Sequence, residues 1–265
     1  MPGITVSHAD SGLMHTRVAR TRRVTPHMTR VTFAGGDLHR FGYQGFDQWF
    51  RLAIPVRAED RLDALPQRFG FGGLLRYAAL PRGTRPVIRN YTVRGYDGET
   101  GELDVDFLIH GTEGIAGPWA ASVEPGAQVA LIDQGCGWRQ VPAEQHLLVT
   151  DESGMPAVLG VLRDMPRDAH GHALIELFDP ADAQEVEAPP GMTVHWLIRG
   201  PGDAPGTRAL PVLRELPLSP SICAFAVGES ALATGTRRHL VGEREVPRAN
   251  VTFCGYWRLG RSAPG

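Results

Sequence analysis

From Arg17 to about Val141 the chain alternates apolar and polar residues in short runs divided by glycine and proline. MTRVTFAG (28–35), DQWFRLAIP (47–55), PVIRNYTVRG (86–95), GELDVDFLIHG (101–111) and AQVALID (127–133) each carry the period of two that marks a half-buried strand. Strands at that spacing predict an antiparallel barrel or sandwich. Residues 57–84 fit no strand and read as a long loop or short helix. After VPAEQ the rhythm changes. HLLVT (146–150), HALIELFD (172–179), TVHWLIRG (193–200), SICAFAVGE (221–229) and NVTFCGYW (250–257) are nearly continuous apolar strands. Between them DESGMPAVLGVLRDMP reads as a helix with Pro156 in its first turn, and SALATGTRRHLVGE (230–243) as an amphipathic crossover helix. That alternation predicts a parallel sheet covered on both faces, with the domain boundary near residues 140–145.

Composition narrows the picture. A net charge of −2 over 265 residues gives no global pull toward nucleic acid or an acidic membrane. Cys136, Cys223 and Cys254 form no C-x-x-C and no even framework, which argues against a disulfide-stapled or zinc-bound fold and favours a reducing compartment. The N-terminus shows no signal-peptide pattern, and no apolar run approaches a bilayer span. The expectation is a cytoplasmic protein with no membrane insertion and no nucleic-acid partner. HGH at 170–172 is read as an exposed loop rather than a metal site. The run HTRVARTRRVTPHMTR (15–30), five arginines and no acid, is read as a basic strand face beside an anionic ligand.

Five stretches carry candidate chemistry. In RPVIRNYTVRG (85–95), Arg89, Tyr91 and Val93 would share one strand face, and Asn90, Thr92 and Arg94 the other. A ring beside a guanidinium suits a planar ligand bearing phosphate, although a half-buried strand with a solvated arginine row has the same pattern. DFLIHGTEGIAGPWA (106–120) runs from a strand through His110-Gly111 into a helix start, a natural anion site or a plain joint. VTDESGMPAV (149–158) and FAVGES (225–230) are strand ends where open α/β sheets bind nucleotides, yet Asp151, Glu152 and Ser153 also suit a helix cap. NVTFCGYWRLG ends on aromatics and Arg258.

In this order these residues resemble the siderophore-interacting protein family, flavin-dependent ferric-siderophore reductases of the ferredoxin-reductase-like superfamily. The resemblance covers about residues 15 to 260. RNYTVR is similar to the family's Arg-x-Tyr-Thr-x-Arg flavin motif, and HGTEGIAGPWA to its His-Gly-x-x-Gly-Pro-Ala-Ser-x-Trp-Ala segment, with Ile115 in place of Pro and Gly117 in place of Ser. LLVTDESGMPAV, VGE and GYWR resemble its remaining signatures. The resemblance implies a Greek-key FAD-binding β-barrel over 1–143 and an NAD(P)H-binding α/β domain over 144–265. It places Tyr91 against the isoalloxazine with Thr92 bonding near it, and Arg89 on the pyrophosphate. Asn90, Ile109, His110, Gly111, Gly114, Ala116, Gly117 and Trp119 complete that site, with Gly117 offering only main chain.

By the same resemblance Asp151, Glu152, Ser153, Gly228, Glu229, Tyr256 and Trp257 form the NAD(P)H crevice, and Arg94 and Arg258 approach the anionic ferric siderophore. No side chain serves as an acid or base, and no metal is bound. The donor is NADPH or NADH. Because members with a long helical C-terminal extension use ferredoxin or NADH, the short end after Arg258 favours NADPH. Two other readings stay open: a flavin reductase feeding a ferredoxin, flavodoxin or oxygenase, and a non-redox siderophore or flavin binder.

Overall fold

The computed structural model describes residues 12–57, 59–68, 71–81, 83–109 and 114–260. Among these the chain forms two compact units, one of residues up to 44 with 48–135, the other of Gly45–Asp47 with the chain from Cys136 onward.

The first unit is an antiparallel sheet of β1 (Met14–Thr25), β2 (Met28–Ala34), β3 (Trp49–Ile54), β4 (Val87–Thr92), β5 (Gly95–Asp97), β6 (Glu102–Leu108) and β7 (Gln128–Asp133). Its order is β4-β3-β7-β1-β2-β6-β5. Alternate residues from strands along its length, among them Val18, Phe33, Phe50, Leu52, Phe107 and Leu131, meet in one core cluster. A curled sheet brings one face of so many strands onto a common core, the barrel of the two arrangements the pattern allows. On the outer face, α1 (Phe71–Ala79) lies in the stretch that fits no strand. Its Tyr77 joins Leu65, Ala53, Ala130 and Ile132 in a second cluster, and its hydroxyl donates to Pro86 O at 2.8 Å.

The basic run folds as the β1–β2 hairpin, with Thr25 opposite Met28. Two of its arginines answer acids of β6: Arg20 forks onto Glu102 at 2.6 and 2.7 Å, and Arg30 onto Asp106 at 2.7 and 2.9 Å. The strand read through residue 95 ends early. β4 stops at Thr92, Val93 donates to Gln48 O and Arg94 to Asp104 O, so Arg94 does not share a strand face with Asn90 and Thr92. His170-Gly171-His172 is no loop but the start of β9, where His172 Nδ1 lies 3.1 Å from His195 Nε2.

The second unit is a parallel sheet of β8 (Gln145–Asp151), β9 (His170–Leu177), β10 (Gly191–Ile198), β11 (Ile222–Glu229) and β12 (Val251–Trp257), ordered β10-β9-β8-β11-β12. All eight residues of β11 are buried, the signature of a central strand covered on both faces. Leu147, Val149, Leu174, Ala224 and Ala226 pack against α4 (Ala209–Glu215) and α5 (Ser230–Gly242). The alternate positions face the other way, where Trp138 meets Phe225 edge-on at 5.7 Å. α3 (Met155–Asp164) follows β8 and is buried at every position from Met155 to Leu162. The β9–β10 connection holds only a short 3-10 turn, and β10 is correspondingly half exposed. No helix among the described residues is long and apolar enough to cross a membrane.

Gly45–Asp47 is built into this second unit. Phe46 N donates to Asp164 Oδ2 at 2.5 Å, and a side chain on Gly160 would strike Phe46 O. Asp47, fully buried, accepts from Gly137 N at 3.0 Å and Trp138 N at 2.8 Å. Desolvation pushes its carboxyl up to about 6, with the two N–H groups opposing. A carboxyl raised on folding contributes stability below its unfolded pKa and loses it as pH rises through the folded value. An amide oxygen in place of Oδ1 keeps both N–H bonds without the charge. Asp47→Asn is therefore expected to lose less stability than the wild type between pH 4 and 7.5, by about 2–3 kcal/mol, measured by urea unfolding across that range. Parallel pH profiles would refute it.

Candidate functional site

In the first unit the site grows from an edge strand that fails to bury itself. β3 has four fully buried positions, whereas its partner β4 has none. The register sets Arg89 opposite Leu52 and Tyr91 opposite Phe50, so both point to the core side, while Asn90 opposite Arg51 and Thr92 opposite Trp49 share the outer face. Tyr91 packs on Phe107 with ring centroids 4.2 Å apart, and Phe107 on Trp119 at 5.6 Å. A buried phenylalanine thus holds two half-buried aromatic rings, one on a strand and one on a helix. Arg89 donates from Nη1 to Ile88 O at 2.8 Å.

The helix is α2 (Ala116–Ser122), entered from the end of β6. Ile109 donates its N–H to His27 O, which ends the strand, and a side chain on Gly117 would press on Leu108 O at 3.3 Å. Gly117 therefore lets the start of α2 lie against the end of β6. Ala116 is buried, and Gly114 takes φ +87°, a backbone region that favours glycine. His110 and Gly111 lie outside the described residues. Arg94 is drawn toward Asp106, at 3.6 Å, which Arg30 also holds.

In the second unit the sheet order reverses direction between β8 and β11, and open α/β sheets bind nucleotides outside the C-terminal ends of the strands at such a point. Asp151 ends β8 and is wholly buried. Its Oδ1 accepts from Ser153 N at 2.9 Å and Gly154 N at 3.3 Å, and its Oδ2 accepts from Glu229 N at 2.8 Å and Trp257 Nε1 at 3.0 Å. One carboxylate thereby ties the ends of β8, β11 and β12 together. Gly228, at φ +110°, has to be glycine, since a Cβ would stand 2.5 Å from Asp151 Oδ1. Glu229 caps α5 by accepting from Ala231 N and Leu232 N. Glu152 lies in a buried pair with Arg199. Tyr256 and Arg258 are exposed at the end of β12.

The structure thus brings Arg89, Tyr91 and Trp119 to one place in the first unit, and Asp151, Ser153, Gly228, Glu229 and Trp257 to one place in the second. Asp151 and Glu229 act first on the crevice's own backbone, and Glu152 on Arg199. Sequence reasoning missed Arg199, although its position after the apolar run HWLI marks it as another strand-end residue.

Two families match the chain in tandem: the Siderophore-interacting FAD-binding domain over residues 17–137 and the Siderophore-interacting protein over residues 143–260. Ferric vibriobactin reductase ViuB of Vibrio cholerae is 31% identical over 247 residues, spanning 92% of this chain and 88% of that protein. The uncharacterized protein Rv2895c of Mycobacterium tuberculosis is 34% identical over 261 residues, spanning 92% and 90%. Among solved structures, a siderophore utilization protein from T. fusca superposes with a TM-score of 0.80 at 30% identity, covering 97% of each chain. SipS from Aeromonas hydrophila gives 0.77 at 27%, covering 95% of this chain and 93% of its own. The ferredoxin reductase of carbazole 1,9a-dioxygenase shares the fold, with a TM-score of 0.65 at 17% identity over 92% of this chain and 69% of that one.

Proposed function

Given that the chain belongs to the siderophore-interacting protein family, we propose that it is an FAD-dependent ferric-siderophore reductase. It takes hydride from NAD(P)H and reduces siderophore-bound Fe(III) to Fe(II) in the cytoplasm. The observation that carries this reading is the unburied edge strand β4, where Arg89 and Tyr91 face the core side of a barrel yet stay half exposed. An aromatic ring backed by Phe107 and a guanidinium two residues away fit a flavin dinucleotide, whose ring system needs a surface and whose pyrophosphate needs a cation.

Bound FAD would supply the ability to accept two electrons together and release them singly. The chain supplies position. Phe107 backs the Tyr91 ring and Trp119 packs on Phe107; Asn90 and Thr92 offer polar groups from the outer face of β4; and main chain from Gly114 to Gly117, with His110 and Gly111, would meet the pyrophosphate. Gly228 keeps the lip of the nicotinamide crevice free of a side chain, and Asp151 keeps its three strand ends together. Tyr256 and Trp257 would border the nicotinamide. The siderophore's hard oxygen ligands suit Fe(III) better than Fe(II), so reduction loosens the chelate and frees the iron. Arg258 and Arg94 would favour an anionic chelate, Arg94 with its charge already shared with Asp106.

The reading is tested by the visible spectrum of the protein under anaerobic conditions, as NAD(P)H and then a ferric siderophore with an Fe(II) trap are added. Bleaching by the nicotinamide, and recovery as Fe(II) appears, is the expected result. Recovery only with an iron–sulfur or flavin carrier would replace the siderophore by a protein partner. Arg89→Ala is expected to weaken FAD binding by about 10- to 100-fold, the loss of one charge-assisted contact. Unchanged affinity by fluorescence titration would remove Arg89 from the site.

A further inference from the structure

Arg199 stands where the adenosine end of a dinucleotide would arrive. In a sheet of this order the ribose lies beside the C-terminal ends of the strands next to the first βα turn. Here those are β9 and β10. Arg199, directly after Ile198, donates its N–H to Leu177 O at 2.9 Å. An arginine available at this place would fork onto a 2′-phosphate.

Its guanidinium is committed elsewhere. Nη1 lies 2.8 Å from Glu152 Oε2, Nη2 bonds Glu152 Oε1, and the two side chains are only 6% and 5% exposed. The ring of Phe178 lies 5.7 Å from the guanidinium carbon. Burial works against its charge, but Glu152, Glu176 and Asp151 outweigh that and raise its pKa. The turn that follows closes on one more carboxylate, Gly200 N donating to Asp203 Oδ2 at 3.0 Å. A 2′-phosphate, close to doubly charged at neutral pH, would meet a cation already neutralised among acids. A ribose 2′-hydroxyl, able to donate, suffers no such repulsion.

We infer that Glu152 is a positioning residue for cofactor choice: by holding Arg199 it denies the 2′-phosphate its cation, and the crevice takes NADH in preference to NADPH. This rests on the reductase reading of the crevice and names its donor.

The experiment is equilibrium titration of the full-length protein with 5′-AMP and with adenosine 2′,5′-bisphosphate, wild type beside Glu152→Gln. The wild type is expected to bind the bisphosphate no better than 5′-AMP. In Glu152→Gln the affinity for the bisphosphate relative to 5′-AMP should rise by about tenfold, the gain of one charge-assisted pair. A purely structural role for Glu152 would weaken both ligands together and leave their ratio unchanged, which would overturn the inference. So would a wild type that binds the bisphosphate about tenfold tighter than 5′-AMP. Should Glu152→Gln fail to fold, the wild-type ratio decides, backed by kcat/KM for NADH against NADPH. Binding of neither nucleotide would remove the crevice itself, a failure distinct from a reversed ratio.

Discussion

Asp151→Ala is expected to unfold at far lower urea than the wild type, losing about 3–5 kcal/mol. The side chain is wholly buried and its two oxygens serve five donors: the N–H groups of Ser153, Gly154 and Glu229, the Ser153 hydroxyl, and Trp257 Nε1. Alanine leaves all of these facing a void that no acceptor fills. Three belong to the backbone of the crevice and cannot turn away. Asparagine restores one oxygen, but whichever way its amide is set, the NH2 faces donors. Asp151→Asn should therefore fall between the other two, about 2 kcal/mol below the wild type. A loss under about 1 kcal/mol for Asp151→Ala would show that the strand ends hold together without the carboxylate.

Arg199→Leu is expected to cost about 3–5 kcal/mol at pH 8, because it strands Glu152 in a buried site without its partner. The deficit should shrink as pH falls. Burial already pushes the Glu152 carboxyl up, with the Arg199 bonds opposing, so removing Arg199 raises it further and favours the protonated form. A carboxyl raised in the folded state stabilises at low pH and loses that contribution as pH rises through its folded value. Glu152→Leu combined with Arg199→Met, which removes both charges at similar volume, should recover most of the loss. Urea unfolding of the single and double variants at pH 5 and pH 8 decides the matter. An equal deficit at both pH values would mean that Glu152 finds another partner or water.

The second unit was legible because parallel strands buried on both faces are apolar almost throughout, so HLLVT and ICAFAV announce themselves. α4 escaped, being seven residues with a proline inside. In the first unit β1 was legible as a basic strand face but not in its extent. Arg17, Arg20, Arg22 and Arg23 are exposed along it, and register shifts between Val18 and Arg20 and between Arg23 and Thr25 break the alternation. His170 and His172 looked like a loop because β9 begins near the half-exposed edge strand, where polar residues are tolerated. The strand read over 86–95 forms as β4, but its end was not legible, since nothing in the sequence shows Val93 and Arg94 turning to Gln48 and Asp104. Asp47 was invisible for a simpler reason: its partners Gly137 and Trp138 lie about ninety residues away.

The tripeptide Gly45–Asp47 makes the chain's modules in space differ from its modules along the sequence. A gene fragment beginning in the 140s would encode every strand of the parallel sheet and still be incomplete. Asp164 would lose the N–H of Phe46, Gly160 would face an empty groove, and Gly137 and Trp138, if included, would have no carboxylate to receive them. Recombination between relatives is constrained in the same way. A second half inherited from one ancestor fits only a first half whose three residues at this place it can accept, so the two halves are bound to change together at a point where they are far apart in the reading frame.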